Sequence, residues 1–155
     1  MPHTNYKLLT ANKLIAMSKY EYSLYISPLK YNIEDDINYI QQLSERLKSR
    51  LALTLLIPAH KLPKKNQENE QTILNDQILE YAYEKLTAAG RLLKVSQQDL
   101  YLHTGECLYT LLGYALSYTR PDLVILPSSL SFEEEWHFYK TITDKGISIL
   151  KLTAP

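Results

Sequence analysis

The sequence predicts a single α/β domain built on a parallel sheet, and three observations carry that expectation. From about residue 20 onward, short apolar runs alternate with longer segments of 3.6-residue period, the pattern of strands joined by crossover helices. Two of the runs, Leu51–Ile57 and Leu123–Leu126, are apolar at nearly every position, as strands covered on both faces must be. Capping residues, glycines and prolines punctuate the helical segments, and a chain of 155 residues can bury roughly two-thirds of its unfolded surface.

Tyr22–Ser27 reads as the first strand, closed by Pro28. The first helix opens near Asn32, whose side chain can accept from free amides while Glu34, Asp35 and Asp36 complement the positive helix end. Ile33, Ile37, Ile40, Leu43 and Leu47 share one face and form its buried stripe. Leu51–Ile57 follows as a central strand. From Pro58 to about Gln71 the chain is polar and aperiodic, a solvated loop longer than ordinary connections.

The second helix spans Thr72–Ala89 and stops at Gly90, the residue that best tolerates a left-handed turn. A short strand over Asp99–His103 comes next. The third helix starts after Glu106, buries Leu108, Leu111, Leu112, Ala115 and Leu116, and ends ahead of Pro121, which disfavours helix at the residue before it. Leu123–Leu126 then belongs beside the first strand. Ser131 and Glu134 have capping-box spacing and open a last helix that runs to about Asp144 and stops at Gly146. The final strand, Ile147–Leu152, alternates in polarity and reads as a sheet edge. Residues 1–19 form an extension to the domain of residues 20–155, with a short helix expected over Thr10–Met17.

Composition removes whole classes of function. Seventeen basic residues balance seventeen acidic ones, so no electrostatic capture of nucleic acid or anionic lipid is expected. One cysteine, Cys107, can make neither an intramolecular disulfide nor a multi-thiolate zinc site. No apolar run approaches the ~20 residues needed to cross a bilayer, and a cytoplasmic location is the expectation. Thirteen tyrosines against two phenylalanines point toward contact surfaces, because Tyr is favoured there. Tyr22 and Tyr25 are expected in the core, and Tyr31, Tyr81, Tyr83 and Tyr118 on the surface.

One stretch is more specific. Leu86-Thr87-Ala88-Ala89-Gly90 ends a helix, a strand leads to His103-Thr104-Gly105-Glu106, and a helix follows. Pro121-Asp122-Leu123-Val124-Ile125-Leu126-Pro127-Ser128-Ser129 closes the unit. In this order the segments resemble the universal stress protein family, over about residues 20–152. The resemblance implies a three-layer α/β/α fold with a five-stranded parallel sheet of order 3-2-1-4-5, the adenine nucleotide alpha hydrolase-like architecture. It also implies dimerisation through the last strand, with Ile147, Ser148, Ile149, Leu150, Lys151 and Leu152 as the dimer edge. Much of the element order is shared with the flavodoxin-like receiver fold. Some family members bind ATP through an acidic residue after the first strand and a glycine-rich loop after the fourth. Here Ser27-Pro28 and Pro127-Ser128-Ser129-Leu130 stand at those places.

A phosphate cradle needs glycines for close backbone approach and a helix N-terminus with unpaired amides. No glycine lies between Gly113 and Gly146, and the helix after the fourth strand opens with Glu133, Glu134 and Glu135. Pro28, Pro58 and Pro127 each remove one donor from the mouth of the sheet. Residues at the strand ends that can still meet a ligand are Ser27, His60, His103, Ser128 and Ser129. Two histidines without a spaced carboxylate or thiol do not make a metal site. Cys107 sits where a helix dipole would favour its thiolate, but no partner base is spaced for it, and it reads as a small half-buried residue. No catalytic constellation is found and no cofactor is expected. The functional expectation is a non-enzymatic protein acting through homodimerisation or a heterologous protein partner, without conventional ATP binding. A nucleotide- or small-ligand-binding stress protein with an unconventional crevice, and an adaptor subunit of a larger assembly, are the alternatives.

Overall fold

The computed structural model describes residues 20–58 and 68–153, with the backbone alone over 68–74. The extension with its expected Thr10–Met17 helix, and His60 with most of the polar loop, lie outside the described residues. Five strands, β1 (Tyr22–Pro28), β2 (Arg50–Pro58), β3 (Leu100–Gly105), β4 (Leu123–Leu126) and β5 (Ser148–Lys151), form one sheet of order β3-β2-β1-β4-β5. Every neighbouring pair is parallel, so each connection crosses over through a helix. The helices are α1 (Ile37–Leu47), α2 (Glu68–Leu93), α3 (Leu108–Thr119) and α4 (Phe132–Asp144).

The period of two along each strand divides the core into two layers. Tyr25, Leu53, Leu55 and Ile125 face Ile40 and Leu43 of α1 and Ala82 and Leu86 of α2. Leu24, Ile26, Leu56 and Val124 face Leu112 and Ala115 of α3 and Phe138 and Ile142 of α4. β1, β2 and β4 are buried almost throughout, which is why their sequences are nearly continuous apolar runs. The chain leaves β1 toward β2 and β3, then returns to β4 on its other side. The boundary between β1 and β4 is therefore the switch point, where open α/β sheets bind ligands.

Three local expectations are corrected. Asn32 does cap a helical turn, accepting from the Glu34 amide at 3.3 Å, but the turn is a 3-10 one over Ile33–Asp35, and α1 begins later, at Ile37. α2 begins at Glu68 and runs through Gly90 to Leu93. Lys94, at φ 57°, makes the left-handed exit instead. Gly90 is needed for packing: a Cβ there would stand 3.0 Å from both Leu100 methyls, so its bare backbone lets α2 lie close on β3. Gly146, at φ 74°, does end α4 as expected.

Polar clamps fix the amino-terminal ends of the strands. The Asp122 carboxylate accepts from the amides of Glu21 and Tyr22, each at 2.9 Å, and its own amide donates to the Tyr22 carbonyl at 3.0 Å. That joins the start of β4 to the start of β1. The Arg50 guanidinium donates through Nε at 2.9 Å to Asp99, which is buried, and so holds β2 to β3. Replacing Asp122 with Ala should cost about 1–2 kcal/mol, since two charge-assisted bonds are lost at an exposed site. Asp122→Asn, which keeps one acceptor, should lose less. Urea unfolding checks this: the midpoint should fall with the slope unchanged.

Candidate functional site: the crevice at the carboxyl ends of the strands

A crevice of about 930 Å3 opens at the carboxyl ends of β1 and β2. Its walls come from five places: Pro28 closing β1 with Leu29 and Lys30 after it, Ile57 and Pro58 closing β2, Ile78 and Tyr81 on α2, Cys107 to Tyr109 opening α3, and Ser131, Glu133 and Glu134 opening α4. Pro28 and Pro58 end adjacent strands and line it too. Lacking an amide hydrogen, neither can donate to a ligand.

Two buried carboxylates organise this end of the sheet. Glu134 lies at the third position of α4 in a complete capping box: its amide donates to Ser131 Oγ at 3.2 Å, and its Oε1 accepts from the Ser131 amide at 3.2 Å and hydroxyl at 3.0 Å. Oε1 also takes the Tyr31 hydroxyl, while Oε2 pairs with the Lys30 ammonium at 2.8 Å. Burial pushes the Glu134 carboxyl up, but Lys30, Tyr31 and Ser131 overcome it and hold the group below its usual range. The same contact raises the Lys30 ammonium. Asp36 is the second: it is 1% exposed and accepts from the Tyr25 hydroxyl at 2.7 Å, the Ser128 hydroxyl at 2.7 Å and the Ser128 amide at 3.4 Å. Burial, then the Asp36 charge, drives the Tyr25 phenol far up. Asp36 thus ties the β1–α1 segment to the turn after β4, directly across the switch point. In the sequence Asp36 reads only as one of the charges at a helix end, because its partner lies 92 residues away.

Of the five residues anticipated for the crevice, the four that are described, Ser27, His103, Ser128 and Ser129, are not among its lining residues. Ser27 is fully buried and donates to the Pro28 carbonyl at 3.0 Å. Ser128 is taken up by Asp36, Ser129 is exposed, and His60 lies outside the described residues. His103 points to the α3 side at the sheet edge, in a triangle of rings with Tyr101 at 6.5 Å and Tyr118 at 6.1 Å. Its Nε2 is buried without a hydrogen-bond partner, and burial holds the imidazole below its ordinary range. Cys107 corrects the expectation of half-burial: it is exposed, at the N-cap of α3. The amides of Thr110 and Tyr109 pull its thiol below the usual range. Among the described residues, no cluster of three His, Cys, Asp or Glu is arranged to hold a metal, and no helix is long and apolar enough to cross a membrane.

Removing the Asp36 carboxylate should be costly. Asp36→Ala leaves the Tyr25 hydroxyl buried without its acceptor and is expected to lose about 2–4 kcal/mol in urea unfolding. Adding Tyr25→Phe to that variant should recover part of the loss, so the double variant lies above the sum of the singles. His103 predicts a pH effect of defined sign. Because its folded pKa is depressed, the unfolded chain binds the proton first. Stability is then complete above a pH of about 6.5 and falls as pH drops through that value. His103→Phe should flatten the wild-type loss between about pH 7 and pH 5, read as thermal midpoints.

No protein-family model and no curated relative matches the chain. Solved structures do. A universal stress protein family member from Burkholderia pseudomallei superposes with a TM-score of 0.65 at 14% identity, covering 87% of this chain and 97% of that one. Universal stress protein UspA from Lactobacillus plantarum gives 0.58 at 11% identity, over 87% and 99%. A universal stress protein in complex with cAMP gives 0.51 at 10% identity, over 88% and 99%. On these superpositions, which cover 87–88% of it, this chain has the fold of the universal stress proteins.

Proposed function

We propose that this chain is a universal-stress-protein-like protein that acts without catalysis, by pairing with a second copy or with another protein, and that it does not seat a nucleotide polyphosphate. The Glu134 cluster carries this reading. At the start of α4, where amides would cradle phosphate, the capping box already engages those of Ser131 and Glu134, and Lys30, the one lysine among the described lining residues, is held by Glu134. A polyphosphate would have to displace a buried carboxylate from four donors and then lie among further glutamates.

The edge of β5 supports self-pairing. Leu152 donates its amide inward to the Leu126 carbonyl at 3.0 Å, so strand alternation turns the amides of Ile149 and Lys151 outward, away from β4. Such an edge is a template for a second strand. The edge is four residues long, Ser148–Lys151, shorter than the expected Ile147–Leu152.

Native mass spectrometry and an ATP titration test the proposal together. A dimer without retained nucleotide, and no binding at micromolar ATP, is expected; a retained adenine nucleotide would overturn it. Lys151→Pro removes one outward amide and should give a folded monomer. Lys151→Ala, which loses only the 3.0 Å pair with Glu135, should remain dimeric.

A further inference from the structure

The polar groups of the crevice wall are engaged largely within the chain itself. Among the described lining residues, Lys30 lies 2.8 Å from Glu134, Ser131 donates its amide and hydroxyl to Glu134, and Glu106 has a partner as well. The Tyr81 ring faces Lys85 Nζ at 5.2 Å, and the Tyr109 ring stacks on His137 at 4.3 Å. Main-chain donors are engaged too. Pro28 and Pro58 carry no amide hydrogen, the Leu29 amide donates to the Leu56 carbonyl at 2.9 Å, and the amides of Tyr109 and Thr110 turn to the Cys107 sulfur. Gln77 and Glu133 are exposed, where water serves them.

What the crevice offers a ligand is apolar surface. Leu29, Ile57 and Ile78 pack with the core layer of α1 and α2, and Leu108 with that of α3 and α4. Both layers therefore reach the crevice at the ends of β1 and β2. Its volume, about 930 Å3, lies within the range of roughly 300–1,000 Å3 common to small-molecule pockets. An extended peptide would bring amides and carbonyls against this wall and leave them short of partners. An anion finds Lys30 already paired, and a cation finds the tyrosine rings already facing Lys85 and His137. A molecule with no charge and few polar atoms gives up the least on leaving water.

We propose that this crevice binds an uncharged lipophilic small molecule, its hydrocarbon or aromatic body covering Leu29, Ile57, Ile78 and Leu108. The inference goes beyond the proposed pairing and is independent of it, since the crevice opens at the strand ends and β5 lies at the sheet edge.

N-Phenylnaphthylamine and anilinonaphthalenesulfonate share one ring skeleton and differ by a single sulfonate charge, and their fluorescence reports binding. Titrated into the full chain near neutral pH, the uncharged amine should bind about ten-fold tighter than the sulfonate, whose charge must leave water. Added sodium chloride should not weaken the amine. Cys107, the one cysteine of the chain, is exposed in the crevice wall, so bound amine should slow its alkylation by iodoacetamide in step with the fluorescence titration. Ile78→Ala should weaken the amine by about three- to ten-fold through lost apolar contact, with the circular dichroism unchanged. Leu79→Ala, at an exposed neighbour outside the lining, should leave the affinity as it is. No binding of the amine up to its solubility, equal or tighter binding of the sulfonate, or competition by tetraphenylphosphonium at lower concentration than the amine would each overturn the proposal. So would alkylation of Cys107 that ignores bound amine, equal losses in the two variants, or amine that splits a dimer into monomers, which would give the crevice to the second copy.

Discussion

A carboxylate removed from water must be met by donors, or the fold around it does not form. Two such groups govern the carboxyl end of this sheet. Asp36 and Glu134 are both buried, and each draws partners from both sides of the switch point. Asp36 holds Tyr25 of β1 and Ser128 beyond β4. Glu134 on α4 holds Lys30 and Tyr31 from the segment after β1. The two connections that an open α/β sheet usually leaves apart for a ligand are therefore fastened to one another.

That fastening decides where open space remains. Asp36 and Ser128 join across the switch point, and the free volume is lined by the residues closing β1 and β2, the middle of α2 and the first turns of α3 and α4. The donors a phosphate would use and the donors the buried carboxylates need are the same class of group, and here the carboxylates engage the amides of Ser128 and Ser131 and the Lys30 ammonium. Fold and ligand preference separate at this point. The sheet order and both apolar layers depend on strand and helix patterning, while the chemistry of the crevice depends on a few side chains in the loops above.

Much of the architecture was legible because it is written locally. Nearly continuous apolar runs mark β2 and β4, and the spacing of Ser131 and Glu134 marks the opening of α4 with its capping box. What failed was information carried across long separations. Gly90 obeys the local rule for a helix end, yet the helix continues because Leu100, on the neighbouring strand, needs the space a side chain would occupy. The place of His103 near a strand end predicts a crevice residue. Its register opposite Leu56 turns it instead to the α3 face, the side on which Leu56 packs. Proximity to a strand end fixes height in the sheet, and parity along the strand fixes the side. The candidate site suffered most, because Asp36 with Ser128, and Lys30 with Glu134, are contacts no spacing rule reaches.

The capping box shows how one residue can be readable in one role and hidden in another. For Ser131 and Glu134 the local role, satisfying the first amides of α4, needs only a separation of three and could stand fully in solvent. Glu134 is buried instead because Lys30 and Tyr31 close over it. A cap at an exposed helix end contributes about 1 kcal/mol; burying the same carboxylate raises the stakes, since losing either outside partner would leave its charge short of donors in a low-dielectric site. The helix start is thereby coupled to the loop after β1, and the helix end most suited to an anion becomes the place where the protein's own anion is anchored.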